Sequence, residues 1–250
     1  MFRRLTLLLF LTFIGLTATM AQSFTPLQTD RPGFMSGPST VGANRLQIEF
    51  GTAYYTQPVG TSVGQGHKPE VALRWSKGQR WELRANLFTD FFKAPNARMV
   101  PLWDLGFGGR YLWLDAAGVA ASTQLELRPV FSGPNFALPF TLTQMLGYSP
   151  LDWLSIGATL NYSQQLDLQG DHNFNLVFNV AAQASPRVGV FVERFANFGQ
   201  GFTADAFSIS YWQGGATYRV TDPWQLDMYV QYSDTQLFVI GGGATFMMPL

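Results

Sequence analysis

Residues 224–232 read WQLDMYVQY, and apolar and polar side chains alternate along this stretch. Leu226, Met228 and Val230 fall on one face of an extended chain, whereas Gln225 and Asp227 fall on the other. A period of two residues predicts a β-strand, because successive side chains of a strand point to opposite sides of the sheet. A tilted strand that crosses a bilayer needs about 9 to 11 residues, so the stretch is long enough to do so.

The same alternation recurs in twelve segments and predicts an all-β fold. The segments begin near residues 44, 70, 80, 102, 118, 139, 153, 173, 187, 205, 224 and 237. The tenth is irregular, because Ile209 and Tyr211 differ in parity from Trp212 and Tyr218, and this difference predicts a β-bulge near Gln213-Gly214.

The connections between these segments alternate in length. The long ones are expected at residues 57–69, 93–101, 132–138, 164–172 and 197–204, and the short ones at 77–79, 115–117, 149–152, 184–186 and 221–223, with 233–236 last. Outer-membrane barrels have an even number of antiparallel strands, long loops at one end and tight turns at the other. The pattern therefore favours a closed antiparallel transmembrane β-barrel of about twelve strands over residues 44–250.

Composition excludes several classes of protein. Charged residues make up only 13% of the 250 residues, against about 25% in ordinary soluble domains. Sixteen basic residues balance sixteen acidic ones, so no basic surface is available to bind nucleic acid. Without any cysteine, the chain cannot form a disulfide scaffold, a thiolate metal site or a lipidated cysteine.

Residues 1–21 have the three parts of a secretory signal. Arg3 and Arg4 form a basic start, residues 5–16 an apolar centre, and Thr19-Met20-Ala21 a small-residue cleavage site. We expect this peptide to be removed on export. The longest later apolar run, residues 237–250, is shorter than the roughly 20 residues of a spanning helix, so no transmembrane helix is expected.

The export signal, the strand length and the aromatic residues at strand ends all favour apolar side chains that point outward to lipid. Tryptophan and tyrosine collect at the headgroup level of membranes. They occur near predicted strand ends at Tyr54, Trp75, Trp81, Trp103, Tyr111, Trp113, Tyr148, Trp153, Tyr162, Trp224 and Tyr232.

The charged residues of the strands then face a lumen, since an arginine or lysine on the lipid face costs about 2 to 4 kcal/mol near the midplane. The candidate lumen-lining residues are Glu49, Glu70, Arg74, Glu82, Arg84, Asp104, Arg110, Glu126, Arg128, Glu193 and Asp227. Two roles remain open for them: an ion-pair network that fills a narrow barrel, or a polar path that selects permeants.

The start of the mature chain resembles a known family. Residues 29–34 (TDRPGF), 39–43 (STVGA) and 46–51 (LQIEFG) are similar to the opening of exported barrels classed as transporters of the phenol meta-degradation type. The resemblance implies an outer-membrane channel or transporter-like protein.

Residues 22–43 precede the first strand and are rich in proline, glycine, serine and threonine. We expect this periplasmic N-terminal arm to place Asp30, Arg31 and Pro32 in the periplasmic opening of the barrel as a plug.

Catalytic and cofactor chemistry is weakly represented. The two histidines, His67 and His172, fall in predicted long loops without a metal-ligand pattern, so no metal and no cofactor are predicted. A barrel hydrolase would need Ser163 or Ser132 near His172, and no sequence motif accompanies them.

These observations favour a monomeric, non-enzymatic channel in the outer membrane of a Gram-negative-type cell, for passive passage of small, amphipathic or aromatic solutes. Its expected partners are outer-membrane lipid, the barrel-assembly machinery during biogenesis, and a solute that the sequence does not identify. A membrane-embedded hydrolase and a structural or adhesive barrel without transport are the alternatives.

Overall fold

The computed structural model describes residues 29–30, 35–95, 99–132, 135–164, 172–198, 209–235 and 237–250. The predicted signal peptide, residues 1–21, and the arm residues Arg31 and Pro32 lie outside the described residues. In the described ranges, no helix has the length and apolar character needed to cross a bilayer.

Fourteen strands occur among the described residues. They are β1 (Arg45–Val59), β2 (Ser62–Ser76), β3 (Trp81–Lys93), β4 (Val100–Ala116), β5 (Val119–Leu127), β6 (Val130–Ser132), β7 (Asn135–Ala137), β8 (Phe140–Leu151), β9 (Leu154–Gln164), β10 (His172–Gln183), β11 (Val188–Asn197), β12 (Ile209–Thr221), β13 (Trp224–Ser233) and β14 (Phe238–Pro249). The short strands β6 and β7 pair only with each other, as a hairpin between β5 and β8.

The other twelve strands form a closed antiparallel barrel in which each strand pairs with its neighbours in the chain. Strand β1 closes the barrel against β14, with pairs that run from Arg45 and Pro249 to Thr56 and Phe238. Closure leaves no unpaired strand edge, which is the condition for strands to cross a bilayer. The predicted all-β closed barrel of twelve strands is therefore confirmed.

The predicted long connection at residues 57–69 is wrong. Strands β1 and β2 stay paired up to Val59 and Ser62, and only Gly60 and Thr61 form the turn. Gly60 has a φ of 59°, a conformation that glycine adopts without steric cost. The glycines of this segment also leave space, because a Cβ on Gly66 would overlap the ring of its cross-strand partner Tyr55.

The predicted bulge at Gln213-Gly214 is also wrong. Strand β12 pairs with β11 through this point without interruption, and its register with β13 shifts only between Arg219 and Thr221. Tyr211 lines the interior of the barrel, whereas Trp212 is 56% exposed on the outside. The change in parity thus reflects one inward-facing aromatic residue rather than an extra residue.

The histidine placement needs correction too, because His67 lies in β2 and His172 begins β10 rather than either lying in a loop.

The polarity of the barrel is inverted relative to a soluble protein. Large apolar side chains are exposed on the outer face, among them Leu83, Leu105, Phe107, Leu125, Leu146, Phe178, Val192, Leu226, Met228 and Val230. Charged side chains are buried inside, including Glu49, Arg74, Glu82, Arg84, Arg110, Glu126, Glu193 and Asp227. Such a surface is compatible with hydrocarbon and not with water.

Aromatic residues mark both ends of the outer face. At the end with the short turns the exposed ones are Trp75, Trp81, Trp113, Tyr148, Trp153, Tyr218 and Trp224, and at the opposite end Tyr54, Trp103, Trp212 and Tyr232. Two such belts are typical of the two interfaces of a bilayer.

Candidate functional site

Four neighbouring strands, β1 to β4, place a compact cluster of charges inside the barrel. Arg74 is the cross-strand partner of Gln47 and of Arg84, and Glu82 is the partner of Arg110. Directly opposite residues of paired strands point to the same side of a sheet. The register therefore brings charged residues that are distant in sequence onto one patch of the inner wall, near the short turns.

Arg74 lies at the centre of this cluster and is completely buried. Its Nε and Nη2 donate to Glu82 Oε1 and Oε2 at 2.9 and 3.0 Å, and its Nη1 donates to Glu49 Oε1 at 3.1 Å. Arg84 Nη1 donates to the same Glu82 Oε1 at 3.0 Å. Arg110 is also fully buried and donates to Gln124 Oε1 at 2.9 Å.

The arm supplies a further carboxylate to this cluster. Asp30 accepts a hydrogen bond from Arg110 Nη2 at 2.9 Å, forms a close ion pair with Arg84, and lies 3.6 Å from Arg74 Nη1. Burial alone would raise the pKa of Asp30, but Arg110, Arg74 and Arg84 outweigh it and hold that pKa well below its usual range. Asp30 therefore stays ionised between the guanidinium groups.

Among the described residues, the charges of the cluster balance only when Asp30 of the arm is included. The wall contributes three guanidiniums, those of Arg74, Arg84 and Arg110, against the two carboxylates of Glu49 and Glu82. Asp30 provides the third carboxylate.

Backbone groups of the arm continue the contact with the wall. Arg110 Nη1 donates to the carbonyls of Gly37 and Ser39, both at 2.8 Å, and the Val41 N–H donates to Glu82 Oε2 at 2.8 Å.

The arm also reaches the opposite side of the lumen, where the Met35 N–H donates to Glu193 Oε1 at 3.3 Å and Thr159 donates to the Ser36 carbonyl at 3.5 Å. The arm thus crosses the interior between β1–β4 and the strands β9 and β11.

A cavity of about 930 Å³ lies on the long-loop side of the arm. Asp30, Ser36 and Arg84 contribute to its lining near the arm. One wall carries charged and aromatic side chains, namely Tyr55, Lys68, Glu70, Phe88, Asp90, Phe92, Glu126 and Arg128. The other wall carries neutral hydrogen-bonding side chains, namely Thr141, Thr143, Asn161, Ser163, Asn175, Asn197, Gln213 and Gln231. The cavity therefore offers polar and apolar contacts together.

A second cavity of about 370 Å³ lies on the short-turn side, and Thr29, Met35, Gly37, Pro38 and Ser39 contribute to its lining. The described residues of the arm therefore line both cavities and lie between them.

The remaining candidates lie outside the central cluster. Arg128 donates to Glu126 Oε1 and to Asp104 Oδ2, both at 2.7 Å, in a partly exposed ion-pair group higher in the lumen. Glu70 lines the large cavity, and Asp227 is buried inside the barrel. Glu193 accepts from Asn179 at 2.9 Å on the wall opposite the cluster.

Sequence reasoning missed the neutral amides that make up the second wall, since it counted only charged residues. Asn161, Asn175 and Gln231 alternate with apolar residues along their strands, so they fall on the polar face. This position in the sequence could have identified them as lumen residues.

The strands do not bring Ser163 and His172 together. Ser163 lines the large cavity, and its cross-strand partner is Asn173. His172 is adjacent to Asn173 in β10, so its side chain points to the other face, where Tyr162 lies 2.8 Å away. Ser163 and His172 are therefore on opposite sides of the barrel wall.

Comparison with known proteins rests on structure alone, because no protein-family model and no curated protein matches the sequence. The fold is that of outer-membrane porins and channels. An outer membrane channel from Pseudomonas putida F1 matches with a TM-score of 0.67 and 9% identity, over 87% of this chain and 100% of that one.

Two porins give similar agreement. NanC porin matches with a TM-score of 0.58 and 11% identity, over 80% of this chain and 98% of that one. KdgM porin, solved in complex with disordered oligogalacturonate, matches with a TM-score of 0.56 and 10% identity, over 78% and 98%. Identities this low establish the shared fold and nothing about the solute.

Proposed function

We propose that the chain is an outer-membrane channel for passive passage of small solutes. The observation that carries the proposal is the inverted polarity of a closed barrel that encloses a cavity of about 930 Å³ lined by polar side chains. The named channel and porins of the same fold support this role and an outer-membrane location.

The arm is proposed to act as an internal constriction. Its described residues lie between two cavities, and its Asp30 completes the charge balance of the central cluster. The charges on the inner wall have two roles in this proposal: the buried cluster anchors the arm, and the more exposed Glu70 and Arg128 face the permeation path.

The proposed solutes are small and amphipathic. Tyr55, Phe92 and Tyr229 bring aromatic surface to the large cavity, whose lining also includes the neutral amide side chains. A molecule with an apolar body and a few polar groups can contact both.

Planar-bilayer recording of the purified barrel tests the proposal. The matched pair is the mature chain and a variant that lacks residues 22–43, with heat-modifiability on a gel as the check that both barrels fold. We expect both to conduct, and the variant to show the larger single-channel conductance. The absence of conductance in both would contradict the channel function, and equal conductance would contradict the constriction.

Liposome swelling with neutral sugars and with small aromatic acids measures the solute range. We expect swelling rates to fall with solute size, because a passive channel discriminates by the width of its narrowest point. Uptake that is the same with and without protein would contradict the proposal.

A further inference from the structure

We propose that Arg74, Arg84 and Arg110 form an anion-binding site on the barrel wall, and that a solute carboxylate entering from the large cavity exchanges with the Asp30 carboxylate that fills it in this structure. This inference rests on the channel function proposed above and adds the solute class and the way in which the arm is released.

The geometry of the site is that of a carboxylate receptor. Three guanidinium groups from β2, β3 and β4 converge on one carboxylate, with Arg110 Nη2 at 2.9 Å and Arg74 Nη1 at 3.6 Å from its oxygens and Arg84 in a close ion pair. Guanidinium groups bind carboxylates through strong charge-assisted hydrogen bonds. The same donors suit any small carboxylate of similar reach.

Charge balance makes the site dependent on an anion. Asp30 is the only acidic residue in residues 22–43, so the arm can offer no second carboxylate. Among the described residues, Glu49 and Glu82 are the carboxylates that pair with these three guanidiniums when Asp30 is absent, so the cluster then carries one excess positive charge. Leaving a buried charge without its partner is strongly unfavourable, so the arm leaves readily only when another anion takes its place.

The site is reachable from the large cavity. Asp30 and Arg84 both line that cavity of about 930 Å³, so a solute inside it can approach the ion pair without passing the arm. The cavity also exposes Phe88 and Phe92, which can contact an apolar group carried by the solute. The matching ligand class is therefore a small carboxylate with an aromatic or apolar body.

Exchange of one carboxylate for another distinguishes this site from a simple pore. A carboxylate solute replaces the contacts that Asp30 gives up, whereas a neutral solute of the same shape does not. The other hydrogen bonds of the described arm residues with this wall involve no arm carboxylate; among them, the Gly37 and Ser39 carbonyls accept from Arg110, the Val41 N–H donates to Glu82, and Thr40 Oγ1 donates to the Gln79 carbonyl. The Asp30 contact is the one that an anion can compete for.

The test compares benzoate with benzyl alcohol in planar bilayers, since the two differ mainly in charge. We expect benzoate to raise the conductance of the wild-type channel with a saturating dose response, and benzyl alcohol at equal concentration to leave it unchanged. Asp30→Asn should show higher basal conductance, a shift of the reversal potential toward anion selectivity, and no further increase with benzoate. Asp104→Asn, which removes a lumen carboxylate outside the site, is the matched control and should respond to benzoate as the wild type does.

A binding measurement gives an independent readout. Isothermal titration of benzoate into detergent-solubilised protein should yield about tenfold tighter binding to Asp30→Asn than to wild type, a difference of about 1.4 kcal/mol, because the internal competitor is absent from the variant.

The inference is overturned if benzoate and benzyl alcohol act alike on the wild type, if Asp30→Asn keeps the full benzoate response, or if Asp104→Asn loses it. These results leave the channel function intact as long as the barrels conduct. A lack of conductance in the wild type and in the arm-deleted variant would instead remove the channel function, and the inference with it.

Discussion

Replacement of Arg74 by leucine should be one of the most damaging single changes inside the barrel. Arg74 is fully buried and makes two hydrogen bonds to Glu82 and one to Glu49. Among the described residues, its removal leaves those carboxylates and Asp30 with Arg84 and Arg110 as their cations. Removing one partner of a buried ion pair costs about 3 to 5 kcal/mol, since the remaining charge keeps its desolvation penalty.

The same reasoning predicts strong coupling between Arg74 and Glu82. In the double variant Arg74→Leu/Glu82→Gln, the orphaned carboxylate is gone, so the loss should be smaller than the sum of the two single losses by about 0.5 to 3 kcal/mol. Arg128→Leu is the matched control, because its side chain is 34% exposed and its buried partner Glu126 keeps hydrogen bonds from Asn86 and Gln124. We expect that control to lose about 1 kcal/mol or less.

The assay is urea unfolding of the barrel refolded in lipid vesicles, followed by fluorescence of its seven tryptophans and by the gel shift of the folded form. An Arg74→Leu variant as stable as Arg128→Leu, or single losses that simply add in the double variant, would refute the picture of a buried, interdependent network.

Three further predictions concern the outer face, the hairpin and the arm. Met228→Arg on the outer face should lower the free energy of unfolding by about 2 to 4 kcal/mol, whereas Tyr232→Arg near the strand end should lower it by about 0 to 1 kcal/mol, because a charge on the lipid face costs less near the membrane interface. Equal losses for the two variants in vesicle unfolding would contradict this position of the barrel in the bilayer. Gly66→Ala should lower the free energy of unfolding by about 1 to 3 kcal/mol, because the new Cβ overlaps the Tyr55 ring. A second substitution in the same chain, Tyr55→Leu, should recover part of this loss. A Gly66→Ala variant as stable as the wild type would contradict the packing of Tyr55 against Gly66. The ion pairs hold the pKa of Asp30 below the value of about 3.9 that an aspartate has in the unfolded chain, so Asp30 stabilises the arm fully above about pH 3.9 and loses this effect only as the pH falls through its lower folded-state pKa. The conductance should therefore stay constant from pH 7 to 4. A channel that opens within that range would contradict the ion-pair account.

The barrel itself could be predicted from the sequence because strand alternation is a local signal. Along β13, successive residues lie on the outer and the inner face in turn. Leu226 is exposed on the outside and Gln225 is buried inside, as a period of two residues predicts. The turns were harder where glycine and proline are common. Residues 57–69 have the composition of a loop, yet Gly66 is there to make room for Tyr55, which lies eleven positions earlier in the chain.

The contents of the lumen could be predicted only in part. The alternation along their strands shows that Glu49, Arg74 and Glu82 point inward. The pairing among these charges depends on the register between neighbouring strands, and the sequence of one strand alone does not determine that register. The placement of Asp30 depends on the path of a segment without periodicity. Its position among Arg74, Arg84 and Arg110 follows from charge balance in three dimensions and has no counterpart in the local sequence.

The central claim, that apolar side chains face lipid while charged ones share a wet interior, is tested most directly by a spin-label scan of β13. The chain has no cysteine, so single cysteines at each position from Trp224 to Ser233 can be labelled without background. In lipid vesicles, labels at even-numbered positions should collide mainly with oxygen, which concentrates in hydrocarbon, and labels at odd-numbered positions mainly with a water-soluble nickel chelate. The reverse pattern, or no alternation, would contradict the account.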